Sequence, residues 1–207
     1  MIGIYGGTFN PVHYGHLRTA LEVKELFKLD QLRLIPCCLP VHKQEPDVCG
    51  ELRFEMLRLA TANLQGFQVD RRELDRDGPS YMVDTLQSLR EELPGQSLLL
   101  FIGADAFAGL ESWRQWRQLF DYAHLVVMTR PGFHRRPLPD FMEQRLLVDR
   151  EQLSAGSHGG LYFQEVTLLD ISATHIRQLL AVGGNPQFLL PDQVLAFIQQ
   201  HQLYQAA

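Results

Sequence analysis

Three kinds of feature are scarce in this sequence, and each scarcity excludes a class of protein. The cysteines are Cys37, Cys38 and Cys49, an odd number with two adjacent, which suits neither a disulfide framework nor the CxxC spacing of a zinc site. No apolar run approaches the roughly 18 residues of a membrane span, and no basic segment followed by a long apolar run opens the chain. We therefore expect a cytoplasmic protein with reduced thiols and no membrane partner.

Basic residues are also fewer than acidic residues. Lys and Arg number 19 against 24 Asp and Glu, which gives a formal net charge of −5. General nucleic-acid binders usually carry an excess of basic residues, so this balance argues against a nucleic-acid partner. It leaves room for a small basic pocket that binds a phosphorylated metabolite. Hydrophobic residues make up 45% of the 207 positions and charged residues 21%, as in a packed globular protein.

Apolar segments typical of buried strands alternate with segments of helical periodicity. The predicted strands are 1–5, 31–36, 67–70, 97–103, 124–130 and 161–166, and the predicted helices are 16–29, 51–64, 81–93 and 191–204. This alternation predicts an α/β fold, a Rossmann-like doubly wound parallel sheet with helices on both faces. We interpret residues 1–207 as a single domain, with a core over about 1–170 and a C-terminal helical portion over 171–207. Residues 133–160 are predicted to form an irregular, mobile surface loop with a short helix near 140–147.

The segment GGTFNPVHYGH, residues 6–16, follows the first predicted strand. Its glycines fit neither the GxGxxG dinucleotide fingerprint nor the Walker A pattern. Glycines nevertheless let a backbone approach a ligand closely, and the N–H groups at the start of the next helix favour an anion. His13 and His16 frame a glycine at this point, where each could contact a phosphate. A lone histidine is more often a capping or solvent-facing residue, but two in this setting favour a phosphate site.

Two motifs resemble those of a nucleotidyltransferase superfamily. HYGH at 13–16 matches its HxGH motif, and ISATHIR at 171–177 is similar to its second motif, ISxTxIR. Between them, LPVHK at 39–43, GPSYMVDTL at 78–86 and FIGADAFAGLESW at 101–113 resemble the bacterial nicotinate-mononucleotide adenylyltransferases, so the resemblance covers essentially the whole chain. It implies transfer of the adenylyl group of ATP to nicotinate mononucleotide, with release of pyrophosphate. It also implies Mg²⁺ carried with ATP, because the sequence shows no dedicated carboxylate cage for a metal.

The resemblance further implies a role for particular residues. The implied catalytic residues, which would grip phosphates and stabilise transition-state charge, are His13, His16, Lys43 and Arg177. The implied ATP-binding residues are Gly6, Gly7, Thr8, Phe9, His13, His16, Gly103, Asp105, Ile171, Ser172, Thr174 and Arg177. The implied mononucleotide-binding residues are Thr8, Asn10, Lys43, Ser80, Tyr81, Met82, Thr85 and Trp113.

Several of these residues also have an ordinary structural explanation. Lys43 could belong to a solvated loop, and Arg177 could be a surface ion-pair partner. Ser172 and Asp105 could simply cap helices, rather than contact phosphate and ribose. Met82 stands where many relatives have threonine, so a hydroxyl donor to the nicotinate carboxylate is missing, although main-chain N–H donors would remain.

Other functions therefore stay open at this point. Met82 leaves a dual-specificity or nicotinamide-mononucleotide adenylyltransferase as an alternative. Pantetheine-phosphate adenylyltransferases and cytidylyltransferases share HxGH but lack the contexts of 78–86 and LESW. A non-catalytic nucleotide sensor would keep the pocket without turnover. We interpret Trp116 as core or rim packing and His175 as structural or peripheral, and the sequence leaves monomer and homo-oligomer undecided.

Overall fold

The computed structural model describes residues 1–39, 46 and 48–205. Its strands are β1 (Ile2–Gly7), β2 (Gln31–Pro36), β3 (Phe67–Val69), β4 (Leu98–Gly103), β5 (His124–Thr129) and β6 (Leu161–Glu165). Its α-helices are α1 (Tyr14–Leu26), α2 (Gly50–Thr61), α3 (Met82–Glu92), α4 (Ala104–Ala108), α5 (Leu119–Tyr122), α6 (Asp140–Glu143), α7 (Ala173–Ala181) and α8 (Asp192–Gln200). Short 3-10 turns cover Leu110–Ser112, Trp116–Gln118 and Arg150–Ser154.

The strands of the described residues form one parallel sheet in the order β3-β2-β1-β4-β5-β6. The chain builds outward from β1 to β3 and then returns to place β4 on the other side of β1. In open sheets of this kind, ligands bind beyond the carboxyl ends of the strands, at the point where the strand order reverses. The segments that follow β1 and β4 therefore mark the candidate site.

Helices cover both faces of the sheet because the strands are apolar on both sides. In β4, Leu99 and Phe101 enter one buried cluster, whereas Leu98, Leu100 and Ile102 enter the other, as the alternation of side chains along a strand requires. The first cluster also contains residues of the helices α1, α2, α7 and α8, namely Val23, Leu57, Ile176, Val194 and Ile198. The second contains residues of α3 and α5, namely Val83, Leu86, Leu89, Leu119 and Phe120. The predicted doubly wound α/β fold is confirmed.

Element boundaries differ from the prediction in two informative places. Helix α1 begins at Tyr14, two residues before the predicted start, so its N-cap is His13. The short helix predicted near 140–147 is confirmed, because α6 lies there. The rest of 133–160 is more ordered than predicted: a 3-10 turn covers Arg150–Ser154, and Met142 and Leu153 are buried in the two clusters. Their spacing matches no regular period, which hid them in the sequence. None of the helices in the described part of the chain is long and apolar enough to cross a membrane.

Candidate active site

A cavity of about 670 Å³ lies between the segment after β1 and the start of α7. It brings together the two motifs that the sequence analysis singled out, although more than 150 residues separate them. Among the described residues, its lining consists of Tyr5, Gly6, Gly7, Thr8, Phe9, Asn10, His13, His16, Pro46, Ile171, Ser172, Ala173, Thr174 and Arg177. We call this space the phosphate cavity.

Two histidine rings form one wall of the phosphate cavity. The centroids of His13 and His16 lie 3.8 Å apart, and the ring of Phe9 meets His16 edge-on at 5.1 Å. Burial lowers the pKa of His13 to about 4, so this imidazole is neutral near pH 7. A neutral imidazole still offers one N–H donor. His13 can therefore contribute a hydrogen bond to an anion, rather than a charge.

Gly15 has a steric reason to be glycine. A Cβ at this position would lie 2.9 Å from Nδ1 of His13 and 3.3 Å from the carbonyl oxygen of Ile171. The first distance is well inside ordinary van der Waals contact, and the second atom belongs to backbone that cannot easily move. The glycine of the HYGH motif thus lets the His13 ring and the segment preceding α7 pack against the start of α1.

Helix α7 supplies the opposite wall. Ser172 caps this helix, because its Oγ accepts a hydrogen bond of 3.2 Å from the N–H of His175. The guanidinium of Arg177 donates to the carbonyl oxygen of Asn10 at 2.8 Å and to Oγ1 of Thr174 at 3.4 Å. No carboxylate of the described chain pairs with Arg177, so the surface ion-pair explanation finds no support there. The arginine instead ties α7 to the segment after β1 and keeps its charge in the cavity.

A second cavity of about 430 Å³ opens on the other side of Gly6 and Gly7. It shares those glycines, Tyr5 and Thr8 with the phosphate cavity, so the two spaces meet at the carboxyl end of β1. Its further described lining includes Cys37, Glu73, Ser80, Tyr81, Met82, Leu100, Phe101, Ile102, Gly103, Asp105, Ala106, Gly109, Ser112, Trp113 and Arg114. We call this the ring cavity, because aromatic side chains contribute to its wall.

Most residues assigned to the mononucleotide reach one of these two cavities. Ser80, Tyr81, Met82 and Trp113 line the ring cavity, and Asn10 lines the phosphate cavity instead. The methyl group of Met82 packs against β1, where a Cβ on Gly6 would lie 2.7 Å from its Cε.

Thr85 is an exception, because it is fully buried and lies outside the described lining of either cavity. Its Oγ1 donates to Oε1 of Glu73 at 2.7 Å and accepts from Nη2 of Arg76 at the same distance. Its hydroxyl is therefore occupied inside the protein, which corrects the expectation of a direct ligand contact. The interaction joins the segment after β3 to α3, an arrangement that no local sequence pattern indicated.

A third cavity of about 390 Å³ adjoins the ring cavity at Gly103 and Asp105. Its further lining in the described chain includes Met128, Arg130, Pro131, Gly132, Phe133 and Leu168. The N-cap of α4 is Gly103, and Asp105 lies inside the helix. Asp105 is therefore not a capping residue, and it lines the wall shared by these two cavities, which leaves its predicted contact with the ribose of ATP compatible with the geometry.

Two further residues organise the site, although no sequence motif indicates either of them. Arg53 on α2 is 1% exposed, and its guanidinium donates to the carbonyl oxygens of Thr8 at 2.8 Å and Cys37 at 2.7 Å. It thereby ties the segment after β1 to the segment after β2. The hydroxyl of Tyr204 donates to Oδ1 of Asn10 at 2.6 Å. Neither residue carries a sequence signal, because both contacts join positions far apart in the chain.

Metal-ligating groups are not clustered in the described part of the chain. No three His, Cys, Asp or Glu side chains there are arranged to hold an ion, and the described lining of the phosphate cavity contains no carboxylate. Lys43, predicted to be catalytic, lies outside the residues that the structure describes.

Comparison with known proteins gives consistent matches over the whole chain. The cytidylyltransferase-like family matches residues 4–179. A curated relative from Methylococcus capsulatus, named "Probable nicotinate-nucleotide adenylyltransferase", is 49% identical over 99% of both chains. A relative of the same name from Pseudomonas putida is 47% identical over 99% of this chain and 95% of its own.

Solved structures resemble the fold as well. The structure of Plasmodium falciparum nicotinic acid mononucleotide adenylyltransferase complexed with NaAD superposes with a TM-score of 0.74. The superposition covers 98% of this chain and 96% of the other. The two sequences are 17% identical, so this likeness concerns the fold alone.

Proposed function

This chain belongs to the nicotinate-nucleotide adenylyltransferases, and from that premise we propose that it transfers the adenylyl group of ATP to nicotinate mononucleotide. The products are nicotinate adenine dinucleotide and pyrophosphate. Two relatives that carry this name are 49% and 47% identical to it over 99% and 95% of their own lengths. The chain is accordingly an enzyme, a nucleotidyltransferase.

One observation of the structure supports this reaction most directly. The phosphate cavity and the ring cavity meet at Gly6, Gly7 and Thr8, at the carboxyl end of β1. A reaction that joins two nucleotides through their phosphates needs such a junction. The absence of side chains on two of these three residues lets both phosphates approach the same stretch of backbone. Positioning of this kind supplies a large part of the catalysis of phosphoryl and nucleotidyl transfer.

The step itself requires little covalent chemistry from the protein. An oxygen of the mononucleotide 5′-phosphate attacks the α-phosphorus of ATP, a new P–O bond forms, and the bond between the α-phosphorus and the bridging oxygen breaks. The electron pair of that bond leaves with pyrophosphate. The nucleophile is already an anion at neutral pH, so no strong general base is needed. The protein must instead hold two anions together and stabilise additional charge in the transition state.

The residues of the phosphate cavity suit this task, and we assign them accordingly. His16 contacts the α-phosphate under attack, and neutral His13 donates a hydrogen bond to the same chain of phosphates. Arg177 grips the β- or γ-phosphate, since its planar guanidinium can bond two oxygens at once. Ser172 and Thr174 sit at the start of α7, where hydroxyl and N–H groups favour an anion. From the motif resemblance alone, since Lys43 lies outside the described residues, we assign to it a further positive charge on the phosphates.

A divalent cation accompanies ATP, and we propose that it is Mg²⁺. Because the described lining of the phosphate cavity has no carboxylate, phosphate oxygens and water would provide most of its ligands. When bound, the cation would neutralise part of the phosphate charge. The histidines and Arg177 would still orient the phosphate chain.

The proposal is tested by turnover with both candidate mononucleotides. Purified protein is incubated with ATP and Mg²⁺ and with nicotinate mononucleotide, nicotinamide mononucleotide or neither. Pyrophosphate release gives kcat/KM, and mass spectrometry identifies the dinucleotide. We expect a preference for the acid of about a hundredfold or more, which corresponds to roughly 3 kcal/mol.

Each other outcome has a definite meaning. Comparable rates with both mononucleotides would mean a dual-specificity enzyme, and Met82 would be the first position to change. Binding of ATP and mononucleotide without pyrophosphate release would contradict the proposal and indicate a nucleotide sensor. Release that needs no mononucleotide would indicate hydrolysis of ATP instead of transfer.

A further inference from the structure

Arg114 occupies a distinctive position in the ring cavity. It follows Trp113, lines the cavity together with Tyr81 and Met82, and is exposed to solvent. Its Cζ lies 4.6 Å from the centroid of the Tyr81 ring. Tyr81 is the N-cap residue of α3, so this stacking holds the guanidinium beside the start of that helix.

The ring cavity is lined by more acidic than basic side chains, which makes the positive charge of Arg114 distinctive. Of the described residues that line it, Arg114 alone has a cationic side chain, whereas Glu73 and Asp105 are acids. Glu73 is 3% exposed, and burial raises the pKa of its carboxyl group. An anionic ring substituent that enters this cavity meets two carboxyl groups and one guanidinium. Among the side chains of the described lining, Arg114 is therefore the one whose charge favours a carboxylate ligand.

The N–H groups at the start of α3 also favour an anion, but only through partial charges. The N-cap of α3 makes no side-chain hydrogen bond in the described chain, and the N–H groups of Asp84 and Thr85 already bond the carbonyl oxygen of Tyr81. This leaves the N–H groups of Met82 and Val83 as candidate donors to a ligand. Such groups bond a carboxylate oxygen more strongly than the carbonyl oxygen of an amide, but they bond to both. The thioether of Met82 donates no hydrogen bond at all. A positive charge discriminates more strongly, because it attracts the acid form and leaves the neutral amide form nearly unaffected.

Arg114 also retains its charge for a ligand. No ion pair among the described residues includes Arg114, and stacking on an aromatic ring orients a guanidinium without neutralising it. Arg117 provides a contrast within the same segment. It is exposed and stacks on Trp116 at 5.2 Å, but it lies outside the described lining of the ring cavity.

We propose that the Arg114 side chain determines specificity, because its guanidinium pairs with the pyridine carboxylate and so selects nicotinate over nicotinamide mononucleotide. This inference rests on the proposed function. It assigns to Arg114 the discrimination that a threonine hydroxyl at position 82 would otherwise support. Trp113 then packs on the ring, while its neighbour in sequence contacts the substituent of that ring.

The test compares Arg114→Gln with Arg114→Lys and with the matched control Arg117→Gln. For each protein, kcat/KM is measured for both mononucleotides at saturating ATP, and KM is measured for ATP. If nicotinamide mononucleotide is turned over too slowly to measure, its inhibition constant against the acid is used. Arg114 is exposed, so its replacement removes little packing, and thermal unfolding of each variant verifies the fold.

We expect Arg114→Gln to lower kcat/KM for the acid about tenfold or more, mainly through KM, and to change the value for the amide less than about threefold. Arg114→Lys should recover part of the preference, because it restores the charge. Arg117→Gln should leave both values unchanged.

An unchanged ratio between acid and amide in Arg114→Gln would overturn the inference. An equal loss with both mononucleotides would also overturn it, because the arginine would then act on the shared 5′-phosphate or on the fold. Failure of the proposed function is a separate result: the unmodified protein would form no dinucleotide from either mononucleotide.

Discussion

The two cavities that meet at Gly6 and Gly7 are built in different ways. Apart from Pro46, the described lining of the phosphate cavity comes from two short segments, 5–16 and 171–177, each at a junction between extended chain and a helix. The ring cavity draws instead on the ends of β1, β2 and β4, the start of α3 and the segment around Trp113. The phosphate cavity thus depends on local backbone geometry, whereas the ring cavity depends on contacts between distant segments.

The difference has a chemical reason. A phosphate chain is recognised by N–H groups, imidazoles and guanidinium groups that a helix start and its first turns can present together. A pyridine ring needs a flat apolar surface and a small number of polar groups around its edge, which separate elements must provide. Substitutions in the phosphate cavity should therefore affect kcat most, and those in the ring cavity should affect KM for the mononucleotide. Single substitutions in each cavity can test this separation of kcat effects from KM effects.

The largest effect is expected for His16→Ala. Loss of a donor that acts on transition-state charge should lower kcat about a thousandfold and change either KM only a few-fold. Steady-state kinetics with ATP and nicotinate mononucleotide checks this. His175→Ala is the matched control, because His175 is an exposed histidine on α7 that lies outside the described cavity lining. A rise in KM with kcat unchanged would make His16 a ground-state binding residue and would remove the division between the cavities.

A smaller effect is expected for Gly15→Ala. The added Cβ would lie 2.9 Å from Nδ1 of His13, so the ring must move by several tenths of an ångström or more. A displacement of about 1 Å at a positioning group can cost about a hundredfold in rate, and we expect a loss of kcat of that order. Stability should fall by about 1 kcal/mol, because the helix propensity of alanine offsets only part of the strain from overpacking. In Gly156→Ala, the control, the new Cβ meets nothing closer than 3.8 Å and activity should persist. Equal activity of the two variants would show that the ring tolerates the contact.

The buried His13 should also make stability depend on pH. Its pKa falls from the ordinary value of 6.5 to about 4 on folding, so the unfolded chain binds more protons between these values. Above pH 6.5 the neutral His13 costs the fold nothing. As the pH falls from 6.5 toward 4, protonation of the unfolded chain lowers the free energy of unfolding. Between about pH 7 and about pH 5, the unmodified protein should lose about 2 kcal/mol more unfolding free energy than His13→Asn. Chemical denaturation at both pH values measures the difference.

The exposed His201 supplies the control for that measurement. Replacement of His201 by Asn should leave the pH dependence of the unmodified protein in place. If His13→Asn gave the same pH dependence as the unmodified protein, His13 would not be neutral in the fold, and its assigned role as an uncharged donor would be wrong.

Features that depend on local sequence patterns could be predicted, whereas contacts between distant segments could not. The strands, the helices and the HYGH and ISATHIR motifs are local patterns, and the structure places both motifs on one cavity. Arg53 has no such pattern, because a buried arginine bound to carbonyl oxygens looks like any other arginine on an amphipathic helix. Thr85 lies in a recognisable motif, yet its hydroxyl is taken by Glu73 from another segment. A motif indicates which residues lie near the site, but the hydrogen-bond partner of each polar atom depends on how distant segments pack together.

The smallest effect is expected for Trp113→Ala. If Trp113 packs on the pyridine ring, its loss removes stacking of about 0.5–1.5 kcal/mol, and KM for the mononucleotide should rise about tenfold at most. KM for ATP and kcat should change little, since Trp113 lies outside the described lining of the phosphate cavity. Trp116→Phe is the control: Trp116 packs edge-on against Phe141 at 5.3 Å and also lies outside the described lining of the ring cavity. An unchanged KM for the mononucleotide in Trp113→Ala would place the ring elsewhere. A fall in kcat alone would mean that the two cavities are coupled through the backbone they share. Substitutions in the ring cavity would then also affect kcat, and the separation of kcat effects from KM effects would be incomplete.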